Sequence, residues 1–125
     1  MILSTGIDIV EVYRIAETMT RTPRFAQRVY TQAERDYCDA KGAAAAQSYA
    51  GRFAAKEAFL KAIKTGWRGK ITWQDMEILN DPDGVPMLNL KGEALRILND
   101  QGAERVHLSI SHTTEHAVAQ VILEK

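Results

Sequence analysis

Two carboxylates in this sequence stand where an ionised side chain needs a compensating partner. Asp8 lies inside an apolar segment, and a buried carboxylate is costly unless it is paired or binds a metal. Glu57 lies at the edge of an apolar helical arc, one turn before Lys61. Mg²⁺ prefers oxygen ligands and shares its coordination shell with water and substrate oxygens. These residues therefore suit metal-assisted chemistry on a phosphate ester.

Each of these side chains also has a purely structural explanation. Asp8 fits a capping or ion-paired residue near a strand end, and Glu57 with Lys61 fits a surface pair contributing about 0.3 to 0.5 kcal/mol. His112 ends the segment Ser109-Ile110-Ser111, where it would either donate to a phosphate or bond to the backbone. The residues alone leave these alternatives open.

Other kinds of reactive centre find little support in the sequence. Ser109 and Ser111 have no His/Asp arrangement around them that would activate a nucleophile. The single Cys38 has neither a disulfide partner nor a second thiol at metal-ligand spacing, so we expect it to pack inertly. Glycine-rich phosphate loops and dinucleotide fingerprints are missing from the sequence.

The charges are balanced overall but not locally. The chain has 16 basic and 16 acidic residues, which argues against a nucleic-acid binder held by a global positive field. One segment is nevertheless basic, because only Glu17 opposes four arginines there: Arg14, Arg21, Arg24 and Arg28. We predict that this segment is a docking face.

Length and hydropathy bound the class of protein. A chain of 125 residues fits one domain, spanning residues 1–125, with a core of its own. No apolar run approaches the roughly 20 residues that span a membrane, so no membrane association is expected. The first residues meet Asp8 before an apolar leader could develop, and we expect a cytoplasmic protein.

The elements that must position these residues follow from periodicity and capping. Residues 2–12 predict a strand that is partly apolar on both faces and lies inside a sheet, with Gly6 at a close backbone approach. Helices are predicted over residues 13–20, after the Thr22-Pro23 pair, from the Thr31 capping box to Gly42, and over residues 91–100. The longest helix is predicted over residues 43–64, with one buried arc and a C-terminal stop at Gly66.

Strands complete the prediction. Residues 73–79 and 85–90 flank a turn rich in Asn, Asp, Pro and Gly, which favours a hairpin. Residues 106–111 and 117–123 favour a second, closing hairpin. Because no regular alternation of strand and helix appears, we predict an α+β fold with a mostly antiparallel sheet packed against one long helix.

Three segments carry a resemblance to a known family. They are GIDIVEVYRI at residues 6–15, GRFAAKEAFLKA at residues 51–62 and LSISH at residues 108–112. In this order and at these separations they resemble holo-[acyl-carrier-protein] synthase, the short bacterial type of phosphopantetheinyl transferase. The likeness extends through residues 30–34 and 84–86, and the bulkier loop at residues 64–69 departs from it.

The resemblance implies a fold, a reaction and a set of site residues. The fold would be that of the phosphopantetheinyl transferases, and the reaction the transfer of 4′-phosphopantetheine from coenzyme A to a carrier serine. Asp8 and Glu57 would hold Mg²⁺, and Lys61 would contact a phosphate oxygen. Arg52 and His112 would bind the ribose 3′-phosphate. The base that removes the serine proton stays open between Glu57 and a metal-bound water.

Partners and assembly are implied in the same way. The acceptor would be an acidic acyl carrier protein, docked on the four arginines. The reaction would support fatty acid biosynthesis. Short members of the family form homotrimers with active sites between neighbouring chains, so His112 would serve another subunit's Asp8 and Glu57.

Two other classes of function remain compatible with the residues. A non-catalytic module could bind an acidic helical partner through the arginines, which would leave Asp8, Glu57 and His112 unused. A metal-dependent phosphohydrolase would use the same metal site without any carrier.

Overall fold

The computed structural model describes residues 1–64 and 70–125. Within these residues, helices and antiparallel strands are mixed, which confirms the predicted α+β class. In chain order the elements are β1 (Ile2–Glu11), α1 (Val12–Arg21), α2 (Phe25–Val29), α3 (Gln32–Asp39), a 3₁₀ turn (Gly42–Ala44), α4 (Ala45–Ile63), a second 3₁₀ turn (Trp73–Asp75), β2 (Met76–Asn80), β3 (Pro86–Leu90), α5 (Gly92–Asp100), β4 (Arg105–His112) and β5 (His116–Glu124).

The larger sheet has three antiparallel strands in the order β1-β5-β4. The closing hairpin β4–β5 is confirmed, with Leu108 opposite Val121. The prediction that β1 lies inside a sheet is wrong for this chain, because β1 is an edge strand. Its apolar residues on the face away from the helix are exposed, with Ile7 at 60% and Ile9 at 66%.

Helix α4 forms the centre of the molecule. Its residues are buried nearly all round rather than along the single predicted arc, because the sheet covers one side and α1, α3 and the β2–β3 hairpin cover others. The helix ends at Lys64, which takes the left-handed conformation with φ of 61°. The predicted stop at Gly66 and most of the loop that departs from the family lie outside the described residues.

Gly6 allows β1 to lie directly on α4. A Cβ atom at this position would stand 2.0 Å from the Ala58 carbonyl oxygen and 2.7 Å from the Ala62 nitrogen. Ser4, two residues earlier on the same face, donates from Oγ to the Ala62 carbonyl oxygen at 2.6 Å. The predicted close approach is therefore confirmed, and it sets the distance between strand and helix.

We expect the Gly6→Ala variant to lose about 3 kcal/mol of unfolding free energy, because two backbones would have to separate. The matched control is Gly42→Ala. A Cβ atom at Gly42 would meet open space. Because the φ of Gly42 is 58°, alanine there should cost only backbone strain of about 1 to 2 kcal/mol. Equal losses in urea unfolding of the two variants would contradict the packing role of Gly6.

Three predicted boundaries need correction. Helix α3 ends at Asp39, and Gly42, its predicted end, instead begins a 3₁₀ turn. The segment from Trp73 was predicted as strand, but Thr72 caps a 3₁₀ turn there and β2 begins only at Met76. The Thr22-Pro23 pair does not cap α2, because Arg24 occupies the N-cap position. Thr22 instead accepts a hydrogen bond from the Phe25 nitrogen through its carbonyl oxygen. The hairpin β2–β3 itself is confirmed as a separate two-stranded sheet.

A fully buried ion pair joins α3 to α4. Lys56 Nζ lies 2.8 Å from Glu34 Oε1, and both side chains have no exposed surface. The ammonium also donates to the carbonyl oxygens of Val29 at 2.6 Å and Trp73 at 3.2 Å. The Glu34 carboxylate accepts from the backbone nitrogens of Thr31 and Ile78. The capping box was predicted, but the role of Glu34 as the counter-ion of Lys56 was not.

None of the helices in residues 1–64 and 70–125 combines the length and apolar character that crossing a bilayer requires.

Candidate active site

The close contact between β1 and α4 brings three predicted site residues together. Asp8 follows Gly6 by two residues and so faces α4 on the same side of the strand. Its Oδ1 accepts from Lys61 Nζ at 2.9 Å, and the Asp8 side chain is only 17% exposed. Lys61 Nζ also donates to the Ile7 carbonyl oxygen at 3.1 Å. Asp8 is therefore ion-paired across two elements rather than a local cap.

Glu57 completes the cluster from one helical turn earlier. Partial burial raises the pKa of the Glu57 carboxyl, and the nearby negative charge of Asp8 raises it further, while Lys61 lowers it. Lys61 pairs with Asp8 among the described residues, so the simple Glu57–Lys61 surface pair is not what forms. Two carboxylates are thus close enough to repel each other.

This donor set fits a hard divalent cation. Repulsion between Asp8 and Glu57 is the condition that a bound cation would relieve. Among the described residues no cluster of three or more His, Cys, Asp or Glu side chains stands ready to enclose a metal. A cation held by two carboxylates would keep positions for water and substrate oxygens, which is the usual pattern for Mg²⁺.

A second polar region lies in a cleft of about 310 Å³ between α3, α4, β4 and the β2–β3 hairpin. We call it the cation cleft, because the cations Lys41 and Arg52 line it together with His112. The predicted pair Arg52 and His112 is thus brought together by the fold. Lys41 was not predicted, since a lone lysine after a helix has no distinguishing pattern.

His112 is exposed at the end of β4, and its Nδ1 lies 2.9 Å from Gln47 Oε1 on α4. A side chain, rather than the backbone alone, therefore orients the imidazole. When Nδ1 donates its proton to Gln47, Nε2 is the nitrogen left for a ligand, and it donates to an anion only in the protonated ring.

The two polar regions lie at opposite edges of the three-stranded sheet. Asp8 belongs to the edge strand β1, whereas His112 belongs to β4 on the other side of β5. Of the described residues, those lining the cation cleft do not include Asp8, Glu57 or Lys61. One chain therefore keeps the carboxylates and the cleft apart.

The four arginines of the predicted docking face are all exposed. Arg14 lies 3.0 Å from Glu11, and Arg21 lies 2.9 Å from Glu17. Arg24 and Arg28 take part in none of the ion pairs found in residues 1–64 and 70–125. Arg14 also borders a shallow cleft beside Val10 and His116, at the end of β1 that follows Asp8.

Comparison with known proteins adds an independent line of information. The model of the ACPS family, described as the 4′-phosphopantetheinyl transferase superfamily, matches residues 4–121. A holo-[acyl-carrier-protein] synthase of Koribacter versatilis is 53% identical over 99% of this chain and 99% of its own length. That of Geotalea daltonii is 45% identical over the full length of both chains.

Solved structures agree in fold. The Neisseria meningitidis holo-[acyl-carrier-protein] synthase superposes with a TM-score of 0.88 at 38% identity, over 100% of both chains. The Bacillus anthracis enzyme, solved in complex with CoA (3′,5′-ADP), gives a TM-score of 0.81 at 42% identity, over 99% of this chain and 97% of that one. The chain therefore belongs to the 4′-phosphopantetheinyl transferase superfamily, among the holo-[acyl-carrier-protein] synthases.

Proposed function

We propose that this chain transfers the 4′-phosphopantetheine group from coenzyme A to a serine of an apo-acyl carrier protein and releases 3′,5′-ADP. The observation that carries the proposal is the cluster of Asp8, Glu57 and Lys61 on α4 and β1, in a chain of this family. The reaction requires charge stabilisation on a pyrophosphate, and that cluster offers carboxylates for a cation and an ammonium for an anion.

Asp8 and Glu57 would hold Mg²⁺. When bound, the ion supplies positive charge to the pyrophosphate oxygens of coenzyme A and to the departing 3′,5′-ADP. Lys61, which pairs with Asp8 in this structure, has a long and flexible side chain. Its ammonium would donate to an oxygen of the same phosphates. The cation cleft would bind the ribose 3′-phosphate through Arg52 and His112.

Glu57 is also our candidate for the group that accepts the serine proton. Its carboxylate belongs to the same cluster as Asp8 and Lys61, and a carboxylate positioned beside the reacting group can accept a proton in the transition state. The serine oxygen would then attack the β-phosphorus of coenzyme A, the bond to 3′,5′-ADP would break, and the proton would stay on Glu57 until solvent removes it.

We further propose that the enzyme is a homotrimer whose active sites lie between chains. The separation of Asp8 and Glu57 from His112 within one chain supports this, since a neighbouring chain could bring the two regions together. The exposed Ile7 and Ile9 on the free face of the sheet are apolar surface of the kind that subunit interfaces cover.

A site shared in this way should show complementation between inactive chains. Mixing Glu57→Ala with His112→Ala subunits, unfolded and refolded together, should restore some activity, because some interfaces would pair an intact Glu57 with an intact His112. The measurement is transfer activity of the mixture against each variant refolded alone. No recovery in hetero-oligomers proven by differential tagging would contradict the shared site.

The carrier should dock on the exposed arginines, because carrier proteins are acidic around the serine that accepts the arm. We expect Arg14→Glu or Arg21→Glu to raise the KM for the carrier about tenfold and to leave the KM for coenzyme A nearly unchanged. Wild-type transfer should weaken with added salt, since the Debye length falls to about 3 Å at 1 M.

Arg96→Glu is the matched control for this prediction. Arg96 is likewise an exposed helical arginine in ion pairs with neighbours one turn away, but it lies on α5, outside the basic segment. A carrier KM that responds equally to all three reversals, or to none, would move the docking surface elsewhere.

One assay separates this function from its rivals. Release of 3′,5′-ADP from coenzyme A should need both Mg²⁺ and the carrier. Release without a carrier would favour a phosphohydrolase, and no release with binding to the carrier alone would favour a non-catalytic module. Within the proposal, the enzyme acts in the cytoplasm and supplies carriers for fatty acid biosynthesis.

A further inference from the structure

The guanidinium of Arg52 is held from two sides. The guanidinium carbon Cζ lies 4.2 Å from the centre of the Tyr37 ring, and Nη2 donates to Asn80 Oδ1. The residue is only 4% exposed although it lines the cation cleft. Its Nε is buried and has no hydrogen-bond partner among the described residues. Such a group is fixed in place while part of its donor capacity is unused.

Tyr37 also attracts a second cation. Lys41, just after the end of α3, has its Nζ 4.6 Å from the centre of the same ring. A lysine and an arginine at one ring repel each other, and the aromatic face offsets this only in part. Gathering them at the wall of a cleft favours a ligand that carries more than one negative charge.

Asn80 connects the arginine to the opposite wall. While Oδ1 accepts from Arg52, the Asn80 Nδ2 donates to the Gly84 carbonyl oxygen at 3.1 Å. Gly84 and Pro86 line the same cleft. Asn80 therefore fixes the hairpin turn and the guanidinium relative to each other, and a wrong orientation of one would displace the other.

We propose that Tyr37 and Asn80 are positioning residues that orient Arg52 and so determine the preference for coenzyme A over its 3′-dephospho analogue. Neither residue needs to touch the reacting atoms, because each acts through the guanidinium. Tyr37 also holds Lys41 beside Arg52. This inference rests on the proposed function, in which Arg52 binds the ribose 3′-phosphate.

The test compares kcat/KM for coenzyme A and for 3′-dephospho-coenzyme A in the full-length enzyme, with a saturating apo-carrier. The ratio of the two values does not depend on how much of a variant is folded. Tyr37→Leu removes the ring face, Asn80→Ala removes the hydrogen bonds, and Tyr37→Phe is the conservative variant that keeps the ring.

We expect the wild type to prefer coenzyme A, and Tyr37→Leu and Asn80→Ala each to lose about tenfold of that preference, chiefly through the KM for coenzyme A. Tyr37→Phe should retain the preference. The inference would be overturned if Tyr37→Leu and Asn80→Ala both kept the wild-type preference. That includes the case in which kcat/KM falls by the same factor with both substrates. Either result would leave the transfer reaction established. A wild type without transfer activity would instead overturn the proposed function.

Discussion

Replacing Asp8 or Glu57 by alanine is expected to reduce Mg²⁺-dependent transfer at least about a hundredfold, since a metal contributes several kcal/mol to phosphoryl chemistry and each 1.36 kcal/mol is tenfold in rate. The fold should survive both changes. Without Asp8, the Lys61 ammonium is still exposed to water, and Glu57 is only half-buried. The checks are kcat/KM for the carrier and the urea unfolding midpoint of each variant.

Glu104→Ala serves as the control for these carboxylate variants. Glu104 is exposed and precedes β4 at the far end of the sheet. The activity of Glu104→Ala should match that of the wild type, and chelation of Mg²⁺ should abolish transfer by both enzymes. Near-normal turnover of Asp8→Ala and Glu57→Ala at saturating Mg²⁺ would remove these residues from the metal site.

The second large effect concerns stability rather than activity. Lys56→Met should lower the unfolding free energy by about 3 to 5 kcal/mol, because it leaves the Glu34 carboxylate buried without its counter-ion. The carbonyl oxygens of Val29 and Trp73 would lose the same donor. Urea unfolding followed by circular dichroism measures the change.

A control and a second variant sharpen this prediction. Lys91→Met makes the same substitution at an exposed position and should change stability by less than about 0.5 kcal/mol. Glu34→Gln should also be strongly destabilising, because it leaves the Lys56 ammonium buried without a counter-charge. A Lys56→Met variant as stable as Lys91→Met would mean that the pair makes no net contribution.

Local features of the fold could be predicted because their causes are local. The Thr31 capping box and the two hairpins depend on residues only a few positions apart. The role of Gly6 was also predictable, since a glycine inside an apolar strand indicates a close backbone approach. Its partner on α4 could not be named, because that depends on tertiary packing.

The features that failed depend on what lies far along the chain. Strand β1 is partly apolar on both faces, yet β5 pairs with only one of its edges and one of its faces stays open. That face is exposed in the chain, and a pattern of apolar residues does not distinguish an inner strand from an edge strand with one open face. The burial of α4 on nearly all sides depends similarly on helices and strands from most of the chain.

The site was predicted unevenly for the same reason. Asp8, Glu57 and Lys61 could be grouped from the sequence. Helical spacing places Glu57 beside Lys61, and the family resemblance adds Asp8. Tyr37, Lys41 and Asn80 could not, since each is an ordinary residue in its own segment. They become a group only when α3 and the β2–β3 hairpin meet α4.

The central claim is most directly tested by mass spectrometry of an apo-acyl carrier protein incubated with this enzyme, coenzyme A and Mg²⁺. The account predicts that the carrier gains the mass of one phosphopantetheine group on its acceptor serine, and that a carrier with alanine at that serine gains nothing. An unmodified wild-type carrier in the presence of folded enzyme, with several carriers tried, would contradict it.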